Sequence, residues 1–252
     1  VAAGLALEGC IPFTYSIGAF YTRAYDQIRV DLCQQNLNVK LVSVGSGLSY
    51  GTMGATHHSI EDIAMLRALP NMTIFSPCDP EEAAQLTEFA FTLQGPVYLR
   101  LALAGEPQLY ENTYNRARII NLNSVSPIRL GRHATIIATG RIVGEALQAA
   151  ALLEKQGIYC TVVNVHTLKP LDSYGIRSAC KTGIVVTVEE HNILGGLGTM
   201  VAESLVGESV KMIRLGVRDQ FCSVYGDRQY IYDAMKISAR HIAESVETLL
   251  HE

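Results

Sequence analysis

Short apolar runs alternate along the whole chain with stretches whose apolar residues recur at helical spacing. In the first half, residues 11–15, 41–44, 73–75 and 97–101 have the length and composition of strands. Between them, Phe20, Ala24, Ile28 and Leu32 fall at four-residue steps, which predicts a helix over residues 20–33. Residues 59–69 predict another, with Ser59 as cap, Asp62 three positions on, and Pro70 as the stop. Asp79-Pro80-Glu81-Glu82 combines a cap, a proline in the first helical position and acids in the first turn. Residues 1–7 read as the end of a helix.

The second half repeats the alternation. Strands are predicted at residues 134–138, 160–165, 184–188 and 211–215, and helices at 142–155, 172–181, 199–205 and 231–250. Strands that are apolar on both sides need helices on both sheet faces. The fold class is therefore α/β, with two domains, each a mainly parallel sheet flanked by helices. Polar, Asn-rich text around Glu111-Asn112-Thr113-Tyr114-Asn115-Arg116 marks a surface linker over residues 104–128, between domains at 1–103 and 129–252.

Composition narrows the partners. The chain is 48% hydrophobic and 17% charged, so a large core or a subunit interface must absorb the apolar excess. With a net charge of -4 and no Lys/Arg block, neither nucleic acid nor a membrane surface is an expected partner. No apolar run approaches the roughly 20 residues of a spanning helix. The first residues carry no basic leader and no cleavage signature, so a cytoplasmic location is expected. Six cysteines without a C-x-x-C pair fit buried free thiols in a reducing compartment.

Candidate chemistry concentrates in residues 42–71. A strand ends there, a loop opens through Gly45, Gly47, Gly51 and Gly54, and His57 and His58 arrive at the mouth of the next helix. In an α/β sheet this is the edge where ligands bind. A solvated histidine pair in an ordinary loop is the other possibility.

Several motifs occur in a fixed order: Ala2-Ala3-Gly4-Leu5-Ala6, Phe20-Tyr21-Thr22-Arg23-Ala24-Tyr25-Asp26-Gln27, Gly54-Ala55-Thr56-His57-His58, Arg67-Ala68-Leu69-Pro70-Asn71-Met72 and Pro77-x-Asp79. Together they resemble the transketolase family. The first half resembles its pyrimidine-binding domain and the second half its C-terminal domain, with Val186-Thr187-Val188-Glu189-Glu190-His191 and the glycine turn at 195–198.

The resemblance implies a subunit that uses thiamine diphosphate to move a two-carbon ketol unit from a ketose donor to an aldehyde acceptor. It implies Phe20 stacked on the aminopyrimidine, with Ile17 and Arg23 at neighbouring cofactor-binding positions. Phe20 could instead be a core position of its helix, and Ile17 plain packing. His57 matches the catalytic histidine that faces the reacting carbon. His58, Met53 and Arg100 fall at or beside substrate positions, Arg100 as a phosphate ligand. His58 could equally be a solvated neighbour, Arg100 a surface residue at a strand end, and Met53 a core residue. His191 fits an interface or turn role.

Three departures shape the expectation. The family's catalytic glutamate precedes the Ala-Ala-Gly-Leu-Ala segment, and neither Glu8 nor Glu61 stands at its position. No Gly-Asp-Gly is present, so Mg2+ and the diphosphate are expected mainly on a partner, the N-terminal, diphosphate-binding subunit, in an α2β2 heterotetramer that self-associates through the C-terminal domain. No metal ligand is therefore assigned in this chain. Met53 replaces an acid that reads a sugar hydroxyl in transketolase, and Gly45 a phosphate-binding histidine. Alternatives are a beta-type subunit of a 2-keto acid decarboxylase or dehydrogenase, a deoxyxylulose phosphate synthase-like enzyme, and a non-catalytic scaffold. A dinucleotide site fails at the third position of both glycine motifs, Gly45-x-Gly47-x-x-Tyr50 and Gly196-x-Gly198-x-x-Val201.

Overall fold

The computed structural model describes residues 1–110, 120–122 and 124–252. Helix α1 (Ala2–Leu7) leads into strand β1 (Phe13–Ile17). The predicted helix over 20–33 is helical throughout but changes pitch: α2 (Gly18–Tyr21), a 3-10 turn, α3 (Tyr25–Gln27) and a π-helical stretch Ile28–Gln34. Strand β2 (Lys40–Val44), helix α4 (Asp62–Arg67), β3 (Thr73–Phe75), α5 (Pro80–Thr92) and β4 (Val97–Arg100) complete the first half. The α5 start is as predicted: the Asp79 carboxylate accepts the Glu82 backbone N–H at 2.8 Å.

Ser59 does not cap α4. It forms an antiparallel bridge with Gly47, and the helix begins three residues later after an uncapped Glu61. The competing backbone pairing wins because it closes the glycine loop at its base.

The second half runs β5 (Ser126–Arg129), β6 (Ala134–Ala138), α6 (Val143–Glu154), β7 (Cys160–Asn164), β8 (Thr167–Lys169), α7 (Ser173–Ala179), β9 (Ile184–Asn192), α8 (Leu197–Ser204), β10 (Lys211–Val217), α9 (Arg228–Ala234) and α10 (Ala239–His251). The predicted terminal helix is thus two. Lys236 sits at φ 58 and the Ile237 N–H reaches back to the Tyr232 carbonyl at 2.9 Å, which ends α9 in a left-handed cap.

Among the described residues, one sheet has the order β1-β2-β4-β3-β8 and the other β10-β9-β6-β7-β5. Pairing is parallel except at β3–β8 and β5–β7. Two features went unpredicted. Strand β8, from the second half, completes the first sheet. Strand β5 begins inside the stretch expected to be linker.

That stretch is also less superficial than expected. Tyr110 and Ile120 are buried, and the Tyr110 hydroxyl donates to Glu82 at 2.9 Å. The Asn-rich residues 111–119 lie outside the described residues.

The two halves share core. One cluster joins Ile63 and Leu66 of α4 and Tyr98 of β4 with Val163 of β7, Val185 of β9 and Val201 of α8. All six cysteines are free, and all but Cys10 are buried; Cys10 is exposed, contrary to expectation.

Candidate active site

Strands β2, β3 and β4 run parallel, so the loops after them gather along one edge. The loop after β2 carries the histidines. Its base is pinned where Gly47 and Ser59 exchange backbone hydrogen bonds of 3.1 and 2.9 Å. Inside it, the Gly54 N–H donates to the Tyr50 carbonyl and the His57 N–H to the Gly54 carbonyl. Gly54 has φ 77, and a Cβ there would lie 2.0 Å from the Tyr225 ring of the C-terminal half. No other residue satisfies both demands.

His57 is half-buried, and its Nδ1 pairs with the Thr56 hydroxyl at 2.9 Å. Its ring lies between two aromatics: Phe20 at 5.6 Å centroid to centroid, and Tyr50 edge-on at 6.1 Å. Phe20 reaches the loop because α2 begins against β2. A side chain at Gly18 would collide with the Ser43 and Ser59 hydroxyls. Phe20 is 50% exposed and therefore not a core residue, while Ile17 is half-buried at the α2 start and Arg23 is exposed one turn on. Met53 is 55% exposed at the turn of the loop, so it too is not core. Phe20 and His57 are thus brought together with Tyr50, a residue that sequence reasoning missed, while Met53 stands three residues further along the loop, its N–H donating to the Tyr50 carbonyl at 2.9 Å.

Two expected substrate residues lie elsewhere. Arg100 is 2% exposed. Its Nε donates to Asp62 at 2.8 Å, and its Nη2 donates to the carbonyls of Ser59 and Glu190 at 2.9 and 3.0 Å. Strand β4 points its last side chain inward, and Asp62 consumes the charge, so no guanidinium is left for a substrate phosphate. Burial alone would push the Asp62 carboxyl up, but Arg100, His191 and the Tyr98 hydroxyl outweigh it and hold it below the usual range.

His58 is 2% exposed, enclosed by the loop rather than presented to substrate. Among the described residues, neither ring nitrogen has a partner in good hydrogen-bond geometry, and the Tyr50 backbone nearby only partly offsets the effect of burial. Burial lowers its pKa and favours the neutral ring.

The C-terminal half buttresses the loop through the end of β9. Glu190 accepts the Leu48 N–H at 3.3 Å and pairs with Arg141 at 3.3 Å; Arg141 also donates to the Ser49 hydroxyl at 3.1 Å. His191 is fully buried at this junction, where its Nε2 accepts the Ala64 N–H at 3.2 Å and its Nδ1 meets the Asn192 carbonyl at 2.7 Å. Among the described residues, no group of three or more His, Cys, Asp or Glu side chains could hold a metal ion. Nor is any helix among them long and apolar enough to cross a membrane.

Residues 1–103 match the family model "Transketolase, pyrimidine binding domain", and residues 123–242 match "Transketolase, C-terminal domain". The chain belongs to the transketolase family. A 6-deoxy-6-sulfo-D-fructose transketolase subunit of a Clostridium species is 41% identical, over 97% of this chain and 76% of that protein. An apulose-4-phosphate transketolase subunit of Actinobacillus succinogenes is 37% identical, over 96% of this chain and 78% of that protein. Among solved structures, a split-gene transketolase described as an inactive beta4 tetramer superposes with a TM-score of 0.85 at 33% identity, over 99% of this chain and 79% of that one. This transketolase-family chain therefore resembles separately encoded subunits, in fold and in sequence.

Proposed function

We propose that the chain is the pyrimidine-binding and C-terminal subunit of a transketolase-type transferase. It moves a two-carbon ketol unit from a ketose to an aldehyde, together with a partner subunit that carries the diphosphate-binding domain. The observation that carries this reading is the Phe20–His57 pair, an accessible aromatic ring 5.6 Å from a half-buried imidazole on a clamped loop. The subunit names of the relatives, and the split-gene neighbour, support the two-subunit arrangement.

The residues fit the pyrimidine half of thiamine diphosphate. The half-exposed Phe20 ring offers a face for a flat heterocycle, and Ile17 and Arg23 flank it on the same segment. When bound, that cofactor supplies the carbanion chemistry that breaks and makes the carbon–carbon bond beside a carbonyl. His57, with Nδ1 engaged by Thr56, keeps Nε2 for a substrate oxygen and transfers a proton there in either direction. Met53 lies at the mouth of the same region and contacts substrate without accepting a strong hydrogen bond. Mg2+ and the diphosphate belong to the partner, a reading that the subunit names of the relatives and the split-gene neighbour support. Self-association through the C-terminal domain completes the assembly as α2β2.

Reconstitution tests the reading. The purified chain and the subunit that copurifies with it are assayed, singly and together, for ketol transfer from a panel of ketoses to glycolaldehyde. Transfer only by the pair is expected. Full transfer by one subunit alone, or none by the pair with any donor, contradicts it.

A further inference from the structure

A cavity of about 590 Å³ opens beside the catalytic loop, at the carboxyl ends of β2, β3 and β4. Tyr50 connects the two: it lines the cavity and meets the His57 ring edge-on at 6.1 Å. The walls are mostly apolar, with Tyr15, Leu101 and Leu103 prominent. Among the described residues, no lysine, arginine or histidine lines it.

The groups that could bind an anion there are already used. Asp79 occupies the positive end of α5, accepting the N–H groups of Glu82 at 2.8 Å and Leu109 at 3.1 Å. Glu106, the other acid in the wall, is paired with Arg141 at 3.2 Å and Arg228 at 2.6 Å. Position 45 cannot contribute a side chain, since a Cβ there would lie 1.9 Å from the Tyr50 ring, at a backbone φ of 66°. Arg100 is locked to Asp62.

We infer that this cavity receives the end of the substrate remote from the reacting carbon, and that this end is uncharged. The class is an unphosphorylated short-chain aldehyde or ketone, with Tyr50 as the specificity-determining residue between cavity and His57. The inference rests on the transferase reading. It also sets this chain apart from the two relatives above, whose names carry a phosphate and a sulfo group. A dianion placed against this wall would lose hydration without gaining a partner.

The test uses the chain with its partner subunit and compares kcat/KM for glyceraldehyde and for its 3-phosphate as acceptors. The neutral aldehyde should win by roughly tenfold or more, as for an unpaired polar group forced into an apolar site. Leu103→Arg should move the ratio at least tenfold toward the phosphate. A wild-type preference for the phosphate, or an unmoved ratio in the variant, overturns the inference. If neither acceptor reacts, the transferase reading fails by itself. Methyl NMR of Leu101 and Leu103, with glyceraldehyde and with inorganic phosphate as probes, then decides the inference independently. Shifts with the aldehyde alone uphold it, and shifts with phosphate, or with neither, overturn it.

Discussion

Arg100 Nε donates to Asp62 Oδ2 at 2.8 Å, and both side chains are almost wholly excluded from water. The pair joins the last residue of β4 to the first of α4. Through the carbonyls of Ser59 and Glu190, the same guanidinium also holds the base of the His57 loop and the end of β9.

Arg100→Ala should therefore unfold the chain rather than weaken substrate binding alone. Removing one partner of a buried ion pair costs about 3–5 kcal/mol, because the other charge is stranded. Urea denaturation measures this. A loss below about 1 kcal/mol would contradict the buried pair and return Arg100 to the surface. Replacing both residues by apolar ones, Asp62→Leu with Arg100→Met, should recover much of the loss.

His57 and Phe20 should separate in kinetics. His57→Ala is expected to lower kcat by about 10²–10⁴-fold, the usual range for a lost general acid–base group, with little change in cofactor affinity. Phe20→Ala should weaken thiamine diphosphate binding first, by removing the stacking face. Steady-state rates at saturating cofactor, with cofactor titrations, distinguish the two. A His57→Ala rate within a few-fold of wild type would remove His57 from the chemistry.

His58 makes a pH prediction. Burial depresses its folded-state pKa below the ordinary 6.5. Below about pH 6.5 the unfolded chain therefore binds a proton that the folded chain resists. Stability should fall as pH drops below that value. In His58→Leu this part of the acid-side loss should vanish. Urea midpoints between pH 5 and 7.5 test it, and equal slopes for both proteins would refute it.

Strands other than β5 and β8 were legible because each is a short apolar run bounded by polar text, and α5 because Asp79-Pro80-Glu81-Glu82 is a local signal. The Phe20–His57 pairing was legible only through motif order, since periodicity alone fits a core phenylalanine equally well. Arg100 was misplaced because its partners, Asp62, Ser59 and Glu190, lie far away in sequence and in two different domains. Strand β8 escaped for the same reason: Thr167–Lys169 is too short to read alone, and its partner β3 belongs to the other half. Tyr50 could have been noticed as an aromatic residue inside the glycine loop, but nothing local says that its ring fills the space at Gly45.

The cysteines offer a check on the fold. Burial pushes the thiols of Cys33 and Cys160 up to about 11 and that of Cys180 to about 12, so they hold little thiolate near neutrality. Brief N-ethylmaleimide treatment at pH 8 should modify Cys10 in the native chain and all six cysteines after denaturation. Mass spectrometry reads the adducts. Labelling of Cys180 as fast as Cys10 would contradict the packing described.

Calorimetric titration of thiamine diphosphate, with and without Mg2+, tests most directly whether this chain holds only the pyrimidine half of the site. The isolated chain should bind weakly and without regard to Mg2+, whereas the chain with its partner subunit should bind tightly and only with Mg2+ present. Tight, Mg2+-dependent binding by the isolated chain would contradict the account.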